Sequence, residues 1–196
     1  MPTIENSGEI RSIVGSDFAL IFERSDDRWT HAIAVAGEPI ARSVEWYADR
    51  DDPARVVSPV FQELHFQTDP AGNHQALLVG MSGTHHFSAV FTLTEAETAT
   101  TLAVDIADRT RSQAIALAST YTVMLNSSDL ADCDESAISW SLPAHRLEFR
   151  AGTMTKVGAA EAGRRATRVQ AWIEASAPPA THRWQYEWRF TRHASP

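Results

Sequence analysis

A chain of 196 residues, 43% hydrophobic and 21% charged, has the make-up of a globular domain with one sizeable core, which excludes disorder, fibrous repeats and a comfortable division into two domains. No apolar run approaches the roughly 18 residues of a membrane-spanning helix, and residues 1–10 lack the basic start and apolar stretch of an export signal, so a soluble cytoplasmic protein without a membrane partner is expected. The formal net charge of −8 excludes nucleic acid as a general partner, because phosphate binding rests on a basic surface that releases counterions.

That charge is unevenly spread. Residues 1–144 carry 8 Lys+Arg against 21 Asp+Glu, and residues 145–196 carry 9 against 4, nets of −13 and +5. The two parts either neutralise one another side by side or leave an anion-binding or self-associating face. Cys133 is the only cysteine, which rules out an intramolecular disulfide framework and a cysteine-only zinc site.

In chain order, short β-branched, aromatic and alternating runs separated by Asp, Gly, Pro and Ser clusters predict strands throughout. The first are 9–14, then 18–23 turning through 24–27 into 28–35, and 40–47, followed by the loop 49–53. If Glu23 faces Arg28 across a four-residue loop, Phe22 opposes Trp29, Leu20 opposes His31 and Phe18 opposes Ile33, which makes one face apolar. A five-strand meander is expected next, over 57–68, 74–82, 85–94, 99–108 and 113–125. Its pairing places Phe61, Leu78, Phe87, Phe91, Leu102, Val104, Ile106, Ile115, Leu117, Tyr121 and Val123 on one face, and the opposite face is small and mixed.

After an acidic loop the chain predicts strands 137–142 and 145–150, then a small-residue stretch at 157–165 that is the best helix candidate, and a last hairpin of 165–175 and 181–191. The last strand alternates strictly, with Trp184, Tyr186, Trp188 and Phe190 on one side and Arg183, Gln185, Glu187 and Arg189 on the other. The fold expected is all-β, a single domain over 1–196: an antiparallel two-sheet sandwich of roughly ten to thirteen strands, or a closed barrel as the alternative, with at most one short helix.

Phosphate-cradling glycine loops, His-Glu-x-x-His, paired Cys-x-x-Cys and the hydrolase nucleophile elbow are all absent, and no cofactor is expected. Two polar constellations remain. Glu63 and His65 are two apart, hence on one strand face, which the expected register gives to Phe61 and Leu78. If buried there, the pair must bind each other, water or a ligand, and suits acid/base work; the alternative is that the strand outruns its covering sheet and both are solvated.

His85, Asp108 and Ser82 form the second, with Arg109 and Arg111 in the adjoining turn. Asp108 is expected opposite His85, a carboxylate that orients an imidazole, or else a solvated cross-strand pair. His85 and His86, adjacent on a strand, point to opposite faces and cannot easily share one metal ion. The acidic loop with Asp129, Asp132, Asp134 and Glu135 lacks the alternation and central glycine of a calcium loop, so no metal is expected.

Six tryptophans are many for this length, and an exposed indole stacks on sugar rings. Trp184 and Trp188 read as core; Trp172, flanked on its own face by Gln170 and Glu174, is the one expected at the surface. The expected function is a binding module for a small or carbohydrate-like ligand, with Trp172, Arg109 and Arg111 as ligand contacts. The alternatives are an enzyme on a sugar or small polar substrate, using Glu63 and His65 or His85 and Asp108 as acid and base, and a structural protein that forms homo-oligomers through an edge strand.

Overall fold

The structure, a computed structural model, describes residues 2–44, 56–126, 130–142, 145–162 and 166–192, with the side chains of 160–162 excepted. The end of the expected strand 40–47 from residue 45 on, the loop 49–53 and Asp129 lie outside the described residues. In chain order the strands are β1 (Thr3–Asn6), β2 (Ile10–Val14), β3 (Phe18–Ser25), β4 (Arg28–Val35), β5 (Glu38–Val44), β6 (Val56–Val57), β7 (Glu63–Thr68), β8 (His74–Ser82) and β9 (His85–Glu95). They continue as β10 (Ala99–Thr110), β11 (Ala116–Val123), β12 (Leu130–Cys133), β13 (Ala137–Leu142), β14 (His145–Ala151), β15 (Lys156–Ala162), β16 (Thr167–Glu174) and β17 (Ala180–Arg192).

One sheet runs β1-β2-β3-β4-β5-β11-β16-β15, with β6 laid parallel to β11, and the other runs β12-β13-β14-β17-β10-β9-β8-β7. Neither closes on itself, so the architecture is the expected all-β sandwich and not the barrel. No helix among the described residues is long and apolar enough to cross a membrane.

The two inner faces supply the core. Phe18, Leu20, Phe22 and Ile33 from the first sheet meet Phe91, Leu102, Trp188 and Phe190 from the second, all buried. The aromatics interlock across the layers, with Phe22 and Phe91 centroids 5.7 Å apart and Tyr121 and Trp188 5.2 Å apart, both edge-on, the geometry that ring quadrupoles favour. Strict alternation in β17 buries Trp184, Tyr186, Trp188 and Phe190, as the period of two requires.

Several expectations are corrected. Among the described residues there are seventeen strands, because β1 and β12 are short added edges, 57–68 splits into β6 and β7, and β15 runs through the described part of the helix candidate at 157–165. Gly158, Ala159 and Ala162 pair along the backbone of β16, where a helix would have lacked both propensity and an apolar stripe. The β3–β4 turn uses two residues, not four: Ser25 opposes Arg28 and Phe22 opposes His31, with Asp26 at φ 55. A shift by an even number leaves every side chain on its face, so the apolar face survives.

The meander stops after β10. The chain then crosses to the first sheet, where β11 pairs with β5 and β16, while β10 pairs with β17 instead. Leu117, Tyr121 and Val123 still face the core, but Ile115, in the crossing segment, is 54% exposed.

Glu63 and His65 do not share a face with Phe61 and Leu78. Leu64 opposes Leu78 and is buried, so its neighbours Glu63 and His65 point outward, with side chains 67% and 71% exposed. Phe61 precedes β7, and the chain bends at Gln62, so the alternation does not carry through. The Phe61 carbonyl accepts from Trp29 N–H at 2.7 Å, and the Gln62 amide clasps Met81, accepting from its N–H at 2.7 Å and donating to its carbonyl at 3.0 Å.

Candidate functional site

The rim where β9, β10 and β17 end carries a buried polar cluster. Inward alternation brings Asp108, His85 and His182 onto the core face, 0%, 6% and 6% exposed respectively. The Cα partner of Asp108 is Phe87 on one side and His182 on the other, so His85 is its diagonal neighbour rather than its direct opposite. The side chains meet nonetheless: His85 Nδ1 lies 3.0 Å from Asp108 Oδ2, and His182 Nδ1 is 3.5 Å from the same oxygen.

The hydrogen bonds set the tautomers. His182 Nε2 accepts the Ser176 backbone N–H at 3.0 Å, which leaves its proton on Nδ1, toward Asp108. His85 Nδ1 donates to the carboxylate, and its Nε2 has no partner among the described residues. His85 lines a cavity of about 300 Å³ with Ser58, Ser82, Thr84, Ser112 and Gln113. A carboxylate that holds an imidazole by Nδ1 and leaves Nε2 free is the arrangement of a general base. Ser82 lines the same cavity, and no side-chain hydrogen bond joins it to His85. His182 is the member that the sequence reading missed; its parity with Trp184 was the available signal.

The outer face of the second sheet holds a larger cleft, about 600 Å³. One row of cross-strand partners reads Arg150, Glu187, Ala103, Thr92, Gln75 and Gln67 from β14 to β7. The methyl of Ala103 leaves room between its longer neighbours. In the next row Gln185 stands beside Asp105, whose carboxylate accepts from Arg183 Nε at 2.7 Å and from Gln185 Nε2 at 2.8 Å. The hydrogen bond from Arg183 holds the Asp105 carboxyl below the usual carboxylate range against a smaller opposing effect of burial. Glu187 pairs with Arg150 at 3.5 Å, and Gln75 donates to Thr92 Oγ1 at 3.1 Å.

Glu63 and His65 stand on the same outer face at its β7 edge, 3.6 Å apart and solvated, away from the His85 cluster. Trp172 is half-buried on β16 and lines a groove of about 420 Å³ with Met154, Lys156, Glu174 and Arg183, where Lys156 Nζ sits 5.2 Å from the indole centroid. Arg109 and Arg111 are exposed at the rim, beside His86. His85 and His86 do point to opposite faces, one buried and one exposed. No group of three His, Cys, Asp or Glu stands in metal-holding geometry among the described residues.

No family model matches this chain, and no curated protein matches it in sequence. Among solved structures it is similar to a mutant of heparan sulfate lyase HepC from Pedobacter heparinus, with a TM-score of 0.66 at 8% identity over 100% of this chain and 37% of that one. The lyase HepC itself gives a TM-score of 0.50 at 8% identity, over 95% of this chain and 36% of that one. A putative aldose 1-epimerase from Escherichia coli K12 gives 0.49 at 7% identity over 98% and 99%, a likeness too loose to argue from. The chain thus spans little more than a third of the lyase, and at such identity what the two share is the β-sandwich fold.

Proposed function

We propose that this chain binds a carbohydrate-like ligand in the outer-face cleft between β14 and β8. The observation that carries the reading is the convergence of Asp105, Gln185, Glu187, Arg150, Thr92 and Gln75 around the gap above Ala103. Planar amides, carboxylates and a guanidinium present paired donors and acceptors, the chemistry that vicinal hydroxyls match. These groups already bond to one another, so little ordering entropy remains to oppose a ligand. The sandwich shared with a polysaccharide-acting lyase supports the reading by analogy of fold.

Isothermal titration and thermal shift with neutral and acidic oligosaccharides test it. At about 100 times the dissociation constant a ligand stabilises the fold by roughly 2.7 kcal/mol, and Glu187→Gln together with Gln185→Ala is expected to weaken binding about tenfold or more. A panel of sugars that leaves the melting point unmoved overturns the reading.

The unpartnered Nε2 of His85, a residue that lines a hydroxyl-bearing cavity, favours a second reading: general-base catalysis on a small polar substrate. Its expected outcome is turnover of a sugar or sugar ester by the native chain that falls about 100-fold or more in His85→Gln while ligand binding in the outer cleft is kept. Equal turnover in both proteins removes His85 from the chemistry.

A further inference from the structure

Beyond the cleft, the far end of the same outer face carries cations with no counter-charge among the described residues. Arg109 stands directly opposite His86 across β10 and β9, and Arg111 follows in the turn. With Gly83, Thr84 and Thr110 they line a pocket of about 510 Å³. Neither arginine side chain has an ion pair or hydrogen bond among the described residues, and neither does the His86 ring.

Three other arginines on this face are paired, Arg183 with Asp105, Arg150 with Glu187 and Arg146 with Glu148, and Arg189 stands opposite Glu148 on the neighbouring strand. A chain with 25 Asp+Glu against 17 Lys+Arg has carboxylates to spare, yet none reaches Arg109 or Arg111 among the described residues. The two arginines therefore keep charge that no described carboxylate offsets, and an anion that joined them would supply the missing partner.

The walls of the pocket are also fixed to one another. Ser112 N–H donates to Thr110 Oγ1 at 3.0 Å, shaping the turn that carries Arg111. The hydroxyls of Thr84 and Ser112 are in contact and join that turn to the one between β8 and β9. On the inward side of the same strand ends, the buried bond from His85 to Asp108 ties β9 to β10.

We propose that this pocket is an oxyanion site. It takes the carboxylate, sulfate or phosphate group of a small ligand, with the Arg109 and Arg111 guanidiniums donating paired N–H groups to its oxygens and His86 donating a further one. The fork geometry of arginine suits such groups better than a point charge does. Arg109 lies four residues along β10 from Asp105, about 13 Å at roughly 3.3 Å per residue, so only an extended molecule would fill both this pocket and the cleft. The oxyanion site stands whether or not the cleft holds a sugar.

The test is a titration of the full chain with sulfate, phosphate and acetate against chloride at matched ionic strength, followed by thermal shift and by heat. At least one oxyanion is expected to give a saturable response. Arg109→Ala and Arg111→Ala are each expected to weaken it about tenfold, and the double variant to abolish it. Arg189→Ala, on the same face outside the pocket, keeps the response. Both arginines are exposed, so the unliganded melting point of the double variant verifies that it folds.

A response that survives in the double variant, or the lack of a saturable response to all three anions, overturns the proposal. Neutral oligosaccharides separate the two readings. If they bind the double variant as tightly as the native chain, cleft and pocket are distinct; if they bind neither protein, the cleft reading falls while the oxyanion result stands on its own.

Discussion

His31 occupies an unusual place for an imidazole. It lies on the core face of β4, its ring 4.9 Å from that of Phe91, and its Nε2 is 2.8 Å from Tyr121 Oη, which in turn is 2.8 Å from Tyr186 Oη. This chain of three polar groups crosses from one sheet to the other, and each satisfies its neighbour so that none is left unpaired in the core. Burial pushes the His31 pKa from its ordinary 6.5 to about 3 and that of Tyr186 up to about 12. The folded protein therefore keeps His31 neutral at pH values where the unfolded chain takes up a proton. The stability that neutral His31 contributes is complete above about pH 6.5, and it falls by up to about 1.4 kcal/mol per pH unit toward pH 3. Urea unfolding of the native chain and of His31→Phe between pH 7.5 and 4 checks this: the native curve is expected to drop more steeply, and parallel curves contradict it.

At the scale of elements, the segment that enters β7 decides what the second sheet shows to solvent. Val60, Phe61 and Gln62 pass over β8 at Gly80, where a Cβ would lie 2.1 Å from the Val60 carbonyl oxygen and 2.7 Å from Phe61 Cα. Both obstacles are backbone, so neither can swing aside. Gly80→Ala is expected to cost about 1–3 kcal/mol in a denaturation experiment. Gly158→Ala, where a Cβ meets nothing within 4 Å, is expected to be near neutral, and equal effects at the two sites would mean that the crossing is looser than described. The same crossing explains Glu63 and His65. Reading 57–68 as one strand carried the parity of Phe61 into Glu63, whereas the bend at Gln62 resets it and places Leu64 inside. By contrast, His74–Ser82, Arg28–Val35 and Ala137–Leu142 form strands with the bounds expected from their turns, because Gly, Asp and Ser clusters mark reversals through local backbone preferences.

For the molecule as a whole, two sheets share one core, and the polar groups sort by where the sheets put them. Sequence alone was sufficient for the all-β class, the inward set in β8, β9, β10 and β17, and the opposite facing of His85 and His86. Each of these follows from a side-chain period of two that the backbone imposes locally, and an even register shift, as at β3 and β4, leaves it intact. Which sheet a strand joins is a different matter. The run containing β11 reads equally well as a fifth meander strand or as a strand of the opposite layer, since Leu117, Tyr121 and Val123 face the core in both. Only the tertiary structure moved it across the sandwich, gave β10 the partner β17, and so set His182 beside Asp108 and Gln185 beside Asp105. Alternation is written residue by residue in the chain, but strand partners are chosen by how two complete apolar faces cover one another, and that depends on residues far apart in sequence.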